Sequence, residues 1–456
     1  MQSPRARRGE ENPEARMNQE RTATLEGLME RAVSLENWEE ALRAVESNNG
    51  APGPDGMKAR ELRKHLAEKG GTIRKRLLEG RYVPGAARRK ELPKPGGGTR
   101  ALSIPNVQER FVQQLLLGVL EALFEPEFSE SSYGFRRGRS AQQAVKAAQS
   151  HAKEGLSWVV DMDITKFFDR VNHDVLMERI GRTVRDKRVL KLIGGYLRAG
   201  VILPEGLHVQ SEEGTPQGGP LSPLLANIYL DALDKELEKR GLRFARYADD
   251  CNIYVRSKAA AERVMESLQG WLTRKLRLEV NMTKSGVGRP WERKFLGFTL
   301  TMMLLITVAS SSMKRFENKV RELWNARQAL TSKQLRDQWR SYVQGWWGYF
   351  QLAEDKRPVF WKEQWIRRHI RKCFWQRWHS PSGRLNALLK LGVPYGRAGF
   401  ARINRKAWSA ATLPVMQEGL SNRQLRRYGF MMPSDLDAIK RDGANRRMRK
   451  TARPVV

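Results

Sequence analysis

Two short clusters of aspartates carry the side chains best suited to chemistry in this chain. In Asp161-Met162-Asp163 the carboxylates are two residues apart within an apolar stretch that predicts a buried strand, so they share one face of it. Asp249 and Asp250 lie between two apolar, strand-like segments and predict the tip of a hairpin. Buried or crowded carboxylates are costly unless a cation compensates them. The two clusters therefore predict a site for divalent cations.

Magnesium is the cation that this donor set favours. Mg²⁺ prefers carboxylate oxygens, takes only one or two of them from the protein and leaves positions for phosphates. Two such ions, roughly 3.5–4 Å apart, can activate a 3′-hydroxyl and stabilise departing pyrophosphate. Nucleotidyl transfer with two Mg²⁺ ions, or with Mn²⁺ in their place, is the first hypothesis. The alternative is that each acid is a helix cap, a turn residue or an ion-pair partner.

The elements that must position these acids follow from the spacing of apolar residues. Residues 158–164 predict a buried strand, and residues 243–256 predict two strands around the paired aspartates. Residues 214–223 predict a turn-rich loop that leads into a helix, and residues 88–104 predict a hairpin around three glycines. Farther along, the chain predicts helices rich in Trp and Arg. This order indicates an α+β fold followed by a helical C-terminal part.

The charge balance indicates a polyanionic partner. The chain of 456 residues has 83 Lys and Arg against 50 Asp and Glu, a formal net charge of +33. Such a charge opposes folding by self-repulsion, and nucleic acid relieves the repulsion through its phosphates. The two cysteines and six histidines lack the spacing of a zinc site, and no apolar run is long enough to span a bilayer. A cytoplasmic protein, associated with the nucleoid when bound to DNA, is expected.

Five strings resemble the reverse transcriptase encoded by bacterial group II introns. The most specific is GTPQGGPLSPLLAN, from Gly214 to Asn227. The others are the paired aspartates with the preceding Tyr247-Ala248 and the segments at residues 132–140, 161–173 and 295–298. The resemblance covers nearly the whole chain after the N-terminal tail. It implies an RNA-directed DNA polymerase with a right-hand arrangement of fingers, an antiparallel palm sheet packed on helices, and a helical thumb.

The resemblance assigns roles to single residues. It implies three catalytic and metal-binding acids: Asp163, Asp249 and Asp250. It also implies four residues that contact the incoming deoxynucleotide: Lys94, Arg100, Phe168 and Gln217. An aromatic ring at Phe168 would lie under the sugar and exclude a 2′-hydroxyl, and the two cations would meet the triphosphate. Arg88 is a weaker candidate on the same hairpin, and Lys284 is expected to protonate pyrophosphate.

The resemblance also divides the chain into regions. It implies a flexible basic tail at 1–24, an N-terminal extension with the start of the fingers at 25–105, fingers and palm at 106–305, a thumb or maturase domain at 306–395, and a basic DNA-binding region at 396–456. No cysteine pairs or His-rich nuclease signature follow, which is similar to class C members that lack an endonuclease domain.

One helix of the implied thumb has two contrasting faces. Trp361 and Trp365 fall on its apolar face and are expected in the core. Four cations fall on the other face and are expected to meet nucleic acid phosphates: Arg367, Arg368, Arg371 and Lys372. No acid in the sequence is expected to offset this basic face.

The implied activities are reverse transcription and maturase-assisted splicing. The implied partners are group II intron RNA, an RNA template with a DNA or RNA primer, and target DNA, with no membrane and with the oligomeric state open. Three alternatives also stay open: a maturase with an inactive polymerase site, an RNA-directed RNA polymerase, and a reverse transcriptase recruited to host defence or repair. The intact aspartates argue against the first, and Phe168 argues against the second.

Overall fold

The computed structural model describes residues 27–93, 98–402 and 405–441. It contains two compact units, which divide after Gly288. The predicted basic tail, Lys94 and the C-terminal residues from 442 onward lie outside the described residues.

Helices make up most of the first unit. They are α1 (Leu28–Ala32), α2 (Leu35–Asn48), α3 (Leu62–Leu78), α4 (Val107–Phe124), α5 (Ala141–Lys153), α6 (Phe167–Arg170), α7 (His173–Thr183), α8 (Lys187–Arg198), α9 (Ser222–Lys239) and α10 (Lys258–Leu276), with 3₁₀ turns at Ala59–Glu61 and Glu125–Glu127. Ser34, Ser140 and Ser257 start α2, α5 and α10, because each hydroxyl accepts a hydrogen bond from the backbone N–H three residues on.

Two four-stranded sheets complete the first unit. The strands are β1 (Ala87–Pro93), β2 (Thr99–Ile104), β3 (Trp158–Met162), β4 (Val201–Ile202), β5 (His208–Val209), β6 (Arg243–Tyr247), β7 (Asp250–Val255) and β8 (Gly286–Gly288). One sheet has the order β2-β1-β4-β5, and the other, the central sheet, has the order β6-β7-β3-β8 and is antiparallel throughout. The predicted hairpin and the predicted strand pair are both confirmed.

One face of the central sheet packs into the core of the first unit. Four side chains of β3 and β7 belong to the same buried cluster as α4 and α9: Val160, Met162, Cys251 and Ile253. The register pairs Val160 with Ile253 and Met162 with Cys251, so these side chains share a face. Because side chains alternate along a strand, Asp161 and the following Asp163 are directed to the opposite face.

The second unit is almost entirely helical. After the hairpin of β9 (Phe298–Leu300) and β10 (Ile306–Val308) come α11 (Ser310–Leu323), α12 (Ser332–Phe350), α13 (Arg357–Phe360), α14 (Lys362–Arg377), α15 (Pro381–Lys390), α16 (Tyr395–Ala398), a 3₁₀ turn (Gly399–Arg402), α17 (Ala407–Ala410), α18 (Pro414–Gly419), α19 (Asn422–Arg427) and a helix over 433–441. Its core contains three fully buried tryptophans: Trp324, Trp339 and Trp375. The predicted α+β fold with a helical C-terminal part is thus confirmed.

A hairpin near the start of the second unit packs on the helices of that unit. The hairpin at 298–308 belongs to the second unit, because Phe298 packs on Phe350 with ring centroids 5.0 Å apart. The Tyr349 hydroxyl also donates to the Leu296 carbonyl at 2.8 Å. Aromatic packing against α12 therefore joins this hairpin to the helices of the second unit.

Two simpler expectations can be compared with the described residues. None of the helices in 27–93, 98–402 and 405–441 combines the length and the apolar character needed to cross a bilayer. Cys251 and Cys373 are buried free thiols, and burial raises the pKa of both, that of Cys373 to about 11.

Candidate active site

The strand register brings the two predicted acidic clusters to the same end of the two inner strands of the central sheet. Met162 at the end of β3 pairs with Cys251 in β7, so the next position of each strand sets Asp163 beside Asp250. Tyr247 pairs with Asp250 across the β6–β7 turn, which leaves Ala248 and Asp249 at its tip. Neighbouring Cα atoms in such a pair are about 4.5–5.5 Å apart. The predicted proximity of these strands is therefore confirmed.

The β6–β7 turn is tight and strained. Ala248 has a φ of +56°, in the left-handed region that favours glycine. A Cβ atom built on Gly134 would lie 2.3 Å from the Ala248 nitrogen, so only glycine allows the 132–140 segment to approach this turn. The Gly134 carbonyl in turn accepts a hydrogen bond from the Asn227 amide at 2.8 Å. Two of the family-like strings thus meet at the paired aspartates.

Arg246 lies fully buried beneath the same turn. Its guanidinium makes a bidentate ion pair with the buried Asp234 at 2.7 and 2.6 Å, and it donates to the carbonyl of Ala248 at 2.9 Å. It also donates to the side chains of Asn227 and Ser132 at 3.2 and 2.7 Å. Burial by itself lowers the pKa of Arg246, but the Asp234 carboxylate outweighs burial and the net pKa is raised.

The Arg246 network is a functional feature that the sequence analysis missed. A signal was present: Asp234 follows Leu230 and Leu233 and precedes Leu237, and helical spacing puts all four on the buried face of α9. An acid at such a position needs a buried cation. Because Arg246 bonds the carbonyl of the residue before Asp249, the network fixes where the paired aspartates sit.

Asp163 is held from both sides by residues 281–285. Its backbone N–H donates to the Ser285 hydroxyl at 2.9 Å, and its carbonyl accepts from the Asn281 N–H at 2.8 Å. The Lys284 ammonium lies 3.5 Å from the Asp163 carboxylate. A cationic side chain thus occupies the approach to the predicted metal ligand.

A preformed cluster of three carboxylates is not what the structure shows. Among the residues that the structure describes, no group of three or more His, Cys, Asp or Glu side chains is arranged to hold a metal ion. The Asp163 carboxylate is turned to the Lys284 ammonium. The donor chemistry still fits a divalent cation, since hard oxygen donors occupy adjacent strand ends and already attract a positive charge.

A cavity of about 490 Å³ brings together two of the predicted nucleotide-binding residues. Phe168 and Gln217 both line it. The Thr215 N–H donates to the Phe168 carbonyl at 2.7 Å, and the Ser103 N–H donates to the Gln217 carbonyl at 2.6 Å. The loop at 214–217 is therefore fastened both to the α6 segment and to strand β2.

Three cations line this cavity among the side chains that the structure describes: Arg89, Lys166 and Arg170. Arg88, the weaker candidate, instead donates to the Pro52 carbonyl at 2.8 Å. Successive strand residues point to opposite faces, which separates Arg88 from Arg89. Arg100 lies in β2 opposite Leu92, and Lys94 falls outside the described residues. Lys166 has a φ of +45°, a conformation that no sequence pattern here predicted.

The basic face predicted on α14 is more internal than expected. Arg371 is buried and donates to the Leu420 carbonyl at 3.0 Å and to the Asn422 side chain at 3.3 Å. Arg367 pairs with the buried Glu363 at 2.9 Å, so an acid does offset this face. Residues 420–422 cover Arg371 and α17 packs on α14, which no helical wheel could reveal.

The other predicted residues at α14 differ in their exposure and contacts. Trp361, expected in the core, is 75% exposed. Arg368 lies over the Trp408 ring, 4.1 Å from its centroid, and Lys372 is partly exposed. Trp361 directly precedes α14 and has helical dihedral angles (φ −64°, ψ −26°), so its exposure follows from the packing around the helix end and not from a break in the helical period.

Comparison with known proteins defines the class. Residues 92–300 match the family model described as reverse transcriptase (RNA-dependent DNA polymerase), and residues 313–391 match the model of the group II intron maturase-specific domain. Protein YkfC of Escherichia coli K12 is 33% identical over 298 residues, which are 56% of this chain and 78% of that protein. The group II intron-encoded protein LtrA of Lactococcus lactis is 37% identical over 171 residues, 37% of this chain but only 28% of that protein.

Among solved structures, apo telomerase from Candida tropicalis aligns with a TM-score of 0.40 and 16% identity, over 49% of this chain and 55% of that chain. The matched family models and the antiparallel central sheet with its paired aspartates define an RNA-directed DNA polymerase. The chain belongs to the family of group II intron reverse transcriptases and maturases.

Proposed function

We propose that this chain extends a primer 3′-hydroxyl with deoxynucleotides on an RNA template, with two Mg²⁺ ions, and that it binds group II intron RNA as a maturase. The strand register is the observation that carries the polymerase part, because it sets Asp163 beside the Asp249-Asp250 turn. These three carboxylates are the proposed catalytic and metal-binding groups.

The reaction forms a bond from the primer 3′-oxygen to the α-phosphorus and breaks the bond from that phosphorus to the leaving oxygen, which releases pyrophosphate. Cations held by Asp163, Asp249 and Asp250 would supply the positive charge that this phosphate transfer needs. Arg89, Lys166 and Arg170 line the cavity together with Asp169 and Glu213, so cations outnumber acids there by one. These cations would meet the negative charge of a bound triphosphate.

Primer extension tests the polymerase proposal. The full chain is incubated with an RNA template, an annealed DNA primer, the four dNTPs and Mg²⁺, and the products are separated by length. Full-length extension that disappears with EDTA is the expected result. An unextended primer under these conditions would instead indicate a maturase with an inactive polymerase site. Extension with NTPs as readily as with dNTPs would point to an RNA polymerase.

Phe168→Ala is expected to relax sugar discrimination. The Phe168 ring is nearly buried, lies edge-on to Phe167 at 5.2 Å and lines the cavity. Removing the ring opens space where a 2′-hydroxyl would otherwise clash, so the ratio of kcat/KM for dNTP over NTP should fall by about tenfold or more. Single-nucleotide incorporation kinetics with matched dATP and ATP measure this ratio.

Phe167→Leu is the control for that experiment. Phe167 is more deeply buried than Phe168, so its substitution tests whether loosened packing alone changes the selectivity. We expect the Phe167 variant to lose stability and keep the dNTP preference of the wild type. An unchanged ratio in Phe168→Ala would remove Phe168 from the sugar site.

Lys284→Gln is expected to change the Mg²⁺ dependence of extension. The Lys284 ammonium competes with added cations for Asp163. Lys284 is mostly exposed, so the pair is worth about 1 kcal/mol at most, and the Mg²⁺ midpoint should fall by up to about fivefold. A proton-donor role would separately appear as a lower rate at saturating Mg²⁺.

Lys258→Gln is the control, because Lys258 is as exposed as Lys284 and lies at the same 3.5 Å from an acid, the more exposed Glu262. It should leave both the midpoint and the maximal rate as in the wild type. A Lys284 variant that titrates with Mg²⁺ like the wild type would show that the ammonium does not compete at Asp163.

Binding of intron RNA tests the maturase part of the proposal. The positive charge of the chain and the matched maturase-specific domain support it. Filter binding should favour a group II intron RNA over an unrelated folded RNA of equal length, with affinity that falls steeply as salt is raised. Equal affinity for both RNAs at every salt concentration would reduce the interaction to non-specific charge attraction. Target DNA is a further proposed partner.

A further inference from the structure

A cavity of about 540 Å³ lies in the second unit, between α14 and the helices that follow residue 406. It lies within the roughly 300–1,000 Å³ typical of sites that take a small ligand. Besides Ala411, its lining consists of uncharged polar side chains, three tryptophans and three arginines, the last two groups being Trp361, Trp365, Trp408, Arg367, Arg368 and Arg371. We refer to it as the Trp–Arg cavity.

The aromatic side of the Trp–Arg cavity combines one exposed tryptophan with a group of rings that contact one another. Trp361 is 75% exposed, although its indole could bury a large apolar area. His369 contacts both Trp365 and Trp408, at centroid distances of 4.3 and 4.8 Å. Burial, together with nearby cations, lowers the pKa of His369 to about 4, so the stack is uncharged at neutral pH.

The charged side of the cavity is held in place by hydrogen bonds. Arg368 donates twice to the Trp408 carbonyl, at 3.1 and 2.9 Å, and Arg367 and Arg371 have the partners described above. Among the described residues that line the cavity, none is acidic. A guanidinium that is already oriented binds an anion at a lower entropic cost than a free one.

The amide groups give the cavity its third property. Gln364, Gln417 and Asn422 are exposed side chains that each carry donors and an acceptor. Nucleobase edges present donors and acceptors of the same kind. A flat apolar ring, fixed guanidinium groups and amides within one cavity match the three parts of a nucleotide: a base face, a phosphate and a base edge.

We propose that the Trp–Arg cavity binds one unpaired nucleotide of a nucleic acid strand, with the base stacked on Trp361 and its phosphate near Arg368. A paired base is excluded, because its face is covered within the helix and cannot enter a cavity of this size. The inference rests on the proposed nucleic acid binding of the second unit and specifies the part of the strand that is recognised. RNA and single-stranded DNA both supply this chemistry.

Fluorescence anisotropy with the full chain tests the proposal. The probes are an RNA hairpin with a single bulged adenosine, the same hairpin with an abasic bulge, the fully paired hairpin, and a DNA hairpin with the same bulge. No dNTP and no divalent cation is added, so the measurement remains interpretable even if primer extension fails. The variants are Trp361→Ala, Trp361→Phe and, as a control, Tyr395→Ala, which removes an exposed ring outside the cavity.

The expected result is a preference for the bulged over the abasic and paired hairpins that depends on Trp361. Trp361→Ala should weaken binding of the bulged hairpin by roughly 5- to 100-fold, and Trp361→Phe should restore most of it. Tyr395→Ala should bind like the wild type. A stronger effect on the RNA or on the DNA probe identifies the source of the nucleotide. The proposal is overturned if Trp361→Ala weakens all probes equally, or if the wild type binds bulged and abasic hairpins with the same affinity.

Discussion

Asp249→Ala is expected to abolish primer extension while RNA binding persists. Asp249 lies at the tip of the β6–β7 turn, beside the strand end that carries Asp163. The loss of a carboxylate that holds a catalytic cation costs several kcal/mol of transition-state stabilisation. A loss of about 4 kcal/mol corresponds to about a thousandfold lower rate. The positive charges that attract RNA are unchanged. Primer extension and filter binding on the same preparation measure the two effects.

Asp174→Ala is the control for this substitution. Asp174 is an exposed acid in the first turn of α7, so its loss removes the same charge from a position outside the central sheet. We expect it to extend the primer at the wild-type rate. If Asp249→Ala retained extension, the metal assignment would fail, and the polymerase centre would have to be sought elsewhere.

Arg246→Met should destabilise the first unit and disable the site at once. The substitution leaves the Asp234 carboxylate buried without its cation, and breaking a buried pair in this way costs about 3–5 kcal/mol. It also removes the hydrogen bond to the Ala248 carbonyl, so the turn that carries Asp249 loses its support. Urea unfolding gives the stability, and extension at low temperature gives the activity of the molecules that stay folded.

Arg243→Met offers the same chemical change on the same strand. Arg243 is exposed and only 3.8 Å from the exposed Glu154, so its loss should change the unfolding free energy by no more than about 0.5 kcal/mol. The double variant Arg246→Met with Asp234→Leu should recover part of the stability, because no buried charge is left alone. It should not recover full activity, since the bond to Ala248 is still missing. If Arg246→Met unfolded at the same urea midpoint as the wild type, the Arg246–Asp234 pair would not be needed for stability.

The candidate site was predictable where its signal is local. Asp163 and the Asp249-Asp250 pair occur within short apolar segments, and period-two alternation is enough to assign strands and faces there. The string at 214–227 identified the loop that lines the cavity with Phe168. Strand pairing between β3 and β7 was also implied, because acids from both segments must lie side by side to form one cation site.

The ionic details of the site were not predictable in the same way. The choice of Arg89 over Arg88 depends on which face of β1 is turned toward the 214–217 loop. The position of Lys284 against Asp163 depends on a return of the chain more than a hundred residues later. The amino-acid pattern offers many cations and does not rank them by distance.

The sequence by itself determined the fold class, the strands that bear the aspartates and the family of the enzyme, because alternation, turn residues and short strings are properties of neighbouring residues. The tertiary structure alone decided that Arg246 is buried with Asp234, that Arg371 is covered by residues 420–422, and that Trp361 is exposed beside fixed arginines. The physical reason is that burial of a charge or exposure of a ring depends on which distant segments pack there. That packing balances desolvation against hydrogen bonds between residues far apart in the chain.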